Sequence, residues 1–136
     1  MRITQQRDAI QQVMFKAGRP LSTQEILDLA QSEIPGLGMA TVYRTLKSLL
    51  EEGGIVKVDL PGQPPRWEVT PENHHHHFLC NNCDKLYEIY ACPEDLQNLL
   101  PMGYIMEDHD ILLRGQCATC ARKTNPRVNS NVSPKY

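Results

Sequence analysis

His74-His75-His76-His77-Phe78-Leu79-Cys80-Asn81-Asn82-Cys83 is the stretch on which the reading of this chain turns. It ends in a Cys-x-x-Cys pair, and a second pair, Cys117 and Cys120, follows further along. A tetrahedral Zn²⁺ takes four thiolates, and two such knuckles supply them from two separate segments. The competing reading is two disulfides. The chain opens Met-Arg-Ile-Thr without an apolar leader, so a reducing cytoplasm is expected and zinc is preferred.

The four histidines need their own explanation. On an extended strand, successive side chains point to opposite faces. His75 and His77 then share one side, and His74 and His76 the other, so one strand can serve two metal sites. Imidazole with carboxylate suits several divalent cations. Glu68, Glu88, Asp95 and His109 are the candidates to complete these shells. The alternatives are a solvated, half-charged strand and a tag remnant. Cys92, outside both pairs and followed by Pro93, reads as a helix-start residue, with a redox or metal role as the alternative.

Working back toward the start, periodicity predicts three helices. The first begins with Thr4 as N-cap and carries Ile10, Val13, Met14 and Ala17 on one face. The second begins with the capping box Ser22-Thr23-Gln24-Glu25, buries Ile26, Leu29 and Ala30, and stops at Pro35-Gly36. The third, Met39–Glu52, buries Val42, Leu46, Leu49 and Leu50 and ends at Gly53-Gly54. A hairpin follows, Ile55–Leu60 and Arg66–Thr70, around a turn at 61–65. Three helices and a hairpin in this order make a winged helix-turn-helix, whose third helix enters a DNA major groove. Its outward face presents Thr41, Tyr43, Arg44 and Lys47, which can bond base edges or phosphates.

Working forward, strands are expected at His75–Leu79, Leu86–Tyr90, Met102–Glu107 and Ile111–Arg114, with a short helix from Pro93. The fold class is α+β: residues 1–70 form the winged-helix domain, 71–73 a hinge, 74–121 a small dimerisation and metal-binding domain stapled by a four-cysteine zinc, and 122–136 a disordered tail. A hydrophobic content of 40% is enough for a core, though 6% aromatics make it lean; the second half's own core is small, so zinc and dimerisation are its expected supports. Net charge is -2, so any DNA contact must be a local basic patch. No apolar run approaches the ~20 residues needed to span a bilayer, and no membrane partner is expected.

Taken together, the chain resembles the ferric uptake regulator family of metal-responsive repressors. The matching pieces are Ala40-Thr41-Val42-Tyr43-Arg44-Thr45-Leu46, Arg66-Trp67-Glu68, His74–His77, Cys80-x-x-Cys83, Asp108-His109 and Gly115-x-Cys117-x-x-Cys120. The resemblance implies a cytoplasmic homodimer on a palindromic double-stranded DNA operator, with no small-molecule substrate. It implies structural zinc at Cys80, Cys83, Cys117 and Cys120. It implies a regulatory site of Glu68, His75, His77 and Glu88 for Fe²⁺, Zn²⁺ or Mn²⁺, iron being favoured. It implies an additional site of His74, His76, Asp95 and His109. Two departures stand out. The segment Arg19-Pro20-Leu21-Ser22 lacks the histidine that five-ligand members place there, which weakens a peroxide-sensing reading. Only a short arm precedes the first helix, with Arg2 as a candidate minor-groove contact. The rival functions are a zinc-uptake or peroxide-sensing regulator of the same family, and a zinc-stabilised interaction module that does not bind DNA. An enzyme is not expected, because His-x-Glu and His-Glu-x-x-His are absent and four thiolates close a zinc shell.

Overall fold

A computed structural model of the chain describes residues 3–124. The element order is α1 (Ile3–Ala17), β1 (Leu21–Ser22), α2 (Thr23–Ala30), α3 (Met39–Glu51), β2 (Ile55–Leu60), β3 (Gln63–Val69), β4 (His76–Cys80), β5 (Leu86–Ile89), a 3-10 turn (Leu96–Leu99), β6 (Leu112–Gly115) and α4 (Ala118–Thr124). The chain divides into two compact units, one ending at Glu72 and the other starting at Asn73.

The first unit packs three helices on a three-stranded sheet of order β1-β3-β2, the winged-helix arrangement. Ile10 and Met14 of α1, Ile26 and Ala30 of α2, and Val42, Leu46 and Leu49 of α3 are buried together with Leu21, Ile55 and Trp67. Helical spacing puts each set on one face, so the core closes where the three faces meet. Val13 and Ala17 pack at its margin. Two expected core residues turn outward: Leu29 and Leu50 are partly exposed, and Leu27 packs on the core from α2 instead.

Caps fix the ends. The first helix starts at Ile3, so Thr4 lies inside it rather than capping it. Ser22 and Glu25 form the capping box, with Glu25 N donating to Ser22 Oγ at 3.1 Å and Ser22 N to Glu25 Oε1 at 3.1 Å. The helix they start ends at Ala30, before Pro35-Gly36 is reached. At the end of α3, Gly53 takes φ 81°, and Gly53 N and Gly54 N bond Leu50 O and Leu49 O. This is a Schellman closure, and the left-handed backbone at its turn favours glycine.

The wing is tighter than the 61–65 turn expected from its prolines. Gly62, at φ 72°, turns the chain, and β3 already begins at Gln63 and carries Pro64 and Pro65. They are tolerated because that stretch of β3 pairs with β2 alone, across a register shift between Val58 and Leu60. Further along, β3 gains β1 as a neighbour through Leu21↔Trp67 and Ser22↔Arg66. Trp67 Nε1 donates to Thr23 Oγ1 at 3.0 Å, so the indole is buried with its polar edge satisfied.

The second unit is a sheet of order β5-β4-β6, with β4 antiparallel to β5 and parallel to β6. Among the described residues its fully buried apolar side chains are few: Leu79, Leu86 and Cys80. Met102–Glu107 is not a strand. Met102 is fully exposed and Gly103 has φ 88°. The Gln97 side chain holds this segment instead, its Nε2 donating to Tyr104 O at 2.8 Å and its Oε1 accepting from Met106 N at 2.9 Å. The helix expected from Pro93 is only the 3-10 turn. Residues 122–124, expected in the tail, complete α4. The rest of that tail, and Arg2, lie outside the described residues.

Candidate metal centres

The two cysteine pairs converge at one end of the second sheet. Cys80 ends β4, and Asp84 turns the chain back in a left-handed conformation, φ 60°, that Asp accepts. Asn81 N bonds Gly115 O at 2.8 Å, which brings the end of β6 against this knuckle. Gly115 is opposite Cys80, and a Cβ on it would sit 3.4 Å from the Phe78 ring. Cys117 then starts α4, its carbonyl accepting from Ala121 N at 2.8 Å. All four sulfurs lie within 4.8 Å of one another, with Cys83 Sγ and Cys117 Sγ 3.9 Å apart. Tetrahedral Zn–S bonds of ~2.3 Å require sulfur separations of about 3.8 Å. The quartet therefore fits a zinc ion.

Its electrostatics are arranged for thiolates. Cys117 N and Cys83 N point at Cys80 Sγ, at 3.4 and 3.5 Å, and draw its thiol down to about 6. Burial and neighbouring thiols push Cys120 the other way, to about 12, so a cation must displace the proton from that sulfur. The Tyr87 phenol, raised by burial and then by its hydrogen bond to Cys117, stays protonated beside that sulfur.

The histidines divide between two sides of β4. The rings of His75 and His77 are 4.8 Å apart on one side. His75 Nδ1 donates to Asn73 O at 3.3 Å, the tautomer that carries its lone pair on Nε2, where a metal would take it. Glu88 is the cross-strand partner of His77, with its carboxylate accepting from the Tyr90 hydroxyl. On the other side, His74 and His76 have ring centroids 4.5 Å apart, and His109 lies 4.8 Å from His74 and 5.0 Å from His76. Asp95 does not join them. It is an exposed residue at the start of the 3-10 turn. Cys92 takes that place, its Sγ 3.0 Å from His109 Nε2. Sequence reasoning leaves a metal role for it open but cannot place it here, because one cysteine beside a proline carries no spacing signal. It misses Tyr87, and nothing in that residue's position marks it.

In the first unit, the α3 face presents Tyr43, Arg44 and Lys47 exposed and Thr41 half-buried. Arg44 Nη2 donates to Thr41 Oγ1 at 3.2 Å, so the guanidinium is steadied along the helix. Glu68 is buried in β3 opposite Val56.

The profile of the Ferric uptake regulator family matches residues 1–114. The chain belongs to that family. The Ferric uptake regulation protein of Synechococcus elongatus is 30% identical over 127 residues, which cover 89% of this chain and 86% of that one. Among solved structures, a zinc-bound manganese uptake regulator superposes with a TM-score of 0.75 at 25% identity, over 86% of this chain and 91% of the other. The ferric uptake regulator of Helicobacter pylori, whose structure reveals three functional metal binding sites, gives 0.65 at 28% identity over 85% and 79%.

Proposed function

We propose that this chain is a metal-dependent transcriptional repressor that binds operator DNA as a homodimer in the cytoplasm. The observation that carries the reading is one chain holding both a recognition helix with an exposed Tyr43–Lys47 face and a strand whose histidines divide between two sides. Cys80, Cys83, Cys117 and Cys120 hold structural zinc. Glu68, His75, His77 and Glu88 hold a regulatory cation, with Fe²⁺ favoured by nitrogen and carboxylate donors and Mn²⁺ of the same class. Glu68 belongs to the wing and the histidines to the second unit, so sharing one cation restrains residues 71–73. Two recognition helices are then held at the spacing of a two-fold operator. The exposed Leu99, Met102, Tyr104, Ile105 and Leu113 supply apolar surface for the second copy. Among the described residues no helix is long and apolar enough to cross a membrane. No catalytic role is assigned. A zinc-responsive reading stands second, favoured by the sulfur donor Cys92 beside His109.

The test is fluorescence anisotropy on a duplex that the wild-type protein selects from a random pool. Metal should tighten binding about 5–150-fold, the usual range of a 1–3 kcal/mol coupling. Arg44→Ala should abolish specific binding. Glu68→Ala should abolish the metal effect while the cysteine-bound zinc stays. Equal affinity of the Arg44 variant, or undiminished metal stimulation of the Glu68 variant, would sink the scheme.

A further inference from the structure

Cys92 is not among the residues assigned above to the structural zinc or the regulatory cation, yet it faces three imidazoles. Its Sγ is 3.0 Å from His109 Nε2 and 3.3 Å from His76 Nε2. His74 Nε2 completes the group, 3.1 Å from His76 Nε2 and 3.2 Å from His109 Nε2. The four atoms lie within 4.8 Å of one another. They come from three pieces of chain: the start of β4, the segment after β5 and the segment before β6. A tetrahedral shell with metal–nitrogen bonds of ~2.0–2.1 Å separates its nitrogens by about 3.3–3.4 Å, close to what these imidazoles already show.

We propose that His74, His76, Cys92 and His109 form a three-nitrogen, one-sulfur site that takes Zn²⁺ in preference to Fe²⁺ or Mn²⁺. The inference rests on the regulator reading for its biological meaning, and replaces the carboxylate oxygen expected there from Asp95 with a sulfur. That exchange decides the metal. Thiolate and imidazole suit borderline and soft cations, whereas Mn²⁺ needs oxygen ligands and Fe²⁺ lies near the weak end of the affinity order. Four ligands also suffice for zinc, while octahedral ions would need two more.

Proton accounting makes the binding event specific. Ile111 N donates to His76 Nδ1 at 3.2 Å, so the neutral ring carries its proton on Nε2, inside the cluster. Metal entry requires Cys92 to release its thiol proton to solvent. It also requires His76 to move its proton from Nε2 to Nδ1, which frees the Ile111 N–H. The hydrogen bond that is lost joins β4 to the residue just ahead of β6.

Cobalt is the probe. The full chain is first loaded with zinc at the cysteine quartet, and Co²⁺ is then added. Wild type should develop tetrahedral d–d bands and a thiolate-to-cobalt charge-transfer band, both bleached by Zn²⁺ but not by Mn²⁺. The pair His75 and His77 contains no sulfur and cannot give the charge-transfer band. Cys92→Ala should lose that band with the quartet zinc retained. Cys92→Asp should still bind cobalt without the band and lose its preference for zinc over manganese. A band that persists in Cys92→Ala, or wild-type cobalt without a sulfur band, overturns the site. Loss of DNA binding with the band intact would instead remove the regulator reading and leave the site standing.

Discussion

The two units of this chain are held together by different means. In the first, three helices and a sheet bury a continuous set of apolar side chains from Ala9 to Trp67, and a capping box, a Schellman turn and an indole hydrogen bond satisfy polar groups around it. In the second, Leu79, Leu86, Cys80 and His76 are the deeply buried side chains among the described residues, and those that converge are groups able to hold a metal ion. Apolar burial is non-directional and tolerates small errors of shape. Coordination is directional and fails with the loss of one ligand. A small unit with few apolar side chains gains from a cation what it lacks in buried area.

The largest effect should come from removing the quartet. Cys117→Ala, or exhaustive chelation, is expected to unfold the second unit, since structural zinc supplies ~10–16 kcal/mol of apparent binding energy in small domains. The chain's single tryptophan, Trp67, lies in the first unit and reports on it alone. Its fluorescence should stay native while amide resonances of residues 76–115 collapse. A Trp67 signal that falls with the zinc would mean that the two units do not fold by separate means.

A smaller, mirror-image effect is expected from Leu46→Ala. Leu46 is fully buried among the three helices, and truncation there should cost about 2–5 kcal/mol. The Trp67 unfolding transition should shift to lower denaturant with zinc content unchanged. Zinc loss in this variant would break the contrast between the units.

The smallest effect is electrostatic. Glu25 is opposed by burial, but the Arg19 hydrogen bond at 2.7 Å, the Ser22 N–H and the charges of Arg19 and Arg66 outweigh it and hold the carboxyl below its ordinary 4.5. A carboxyl lowered in the folded state adds stability above its unfolded value and loses it as pH falls through the folded value. Wild type should therefore lose first-unit stability on acidification below 4.5. Glu25→Gln should show less of that loss and be about 1 kcal/mol less stable at neutral pH. An unchanged acid titration in the variant would remove Glu25 from the account.

Much of the first unit was legible. Helical stripes, the Ser22–Glu25 box and Gly53-Gly54 are local signals, written within a turn or two of where they act. The misses there are local ambiguities. Leu29 and Leu50 sit at the edge of an apolar stripe, where only the neighbouring element decides which side is covered. The two-residue β1 is too short to show a period. The second unit was less legible. Met102–Glu107 has the apolar content of a strand but finds no strand partner among the described residues, and a single glutamine holds it as a loop.

By itself the sequence determined the α+β class, the winged-helix order, the cysteine quartet and the division of the histidines, because periodicity and Cys-x-x-Cys spacing are properties of neighbouring residues. Only the tertiary structure decided that Cys92 rather than Asp95 meets His74, His76 and His109, and that His76 faces them with its proton inward. Those outcomes depend on where the segment after β5 and the segment before β6 pass over β4, and distance along the chain does not encode that.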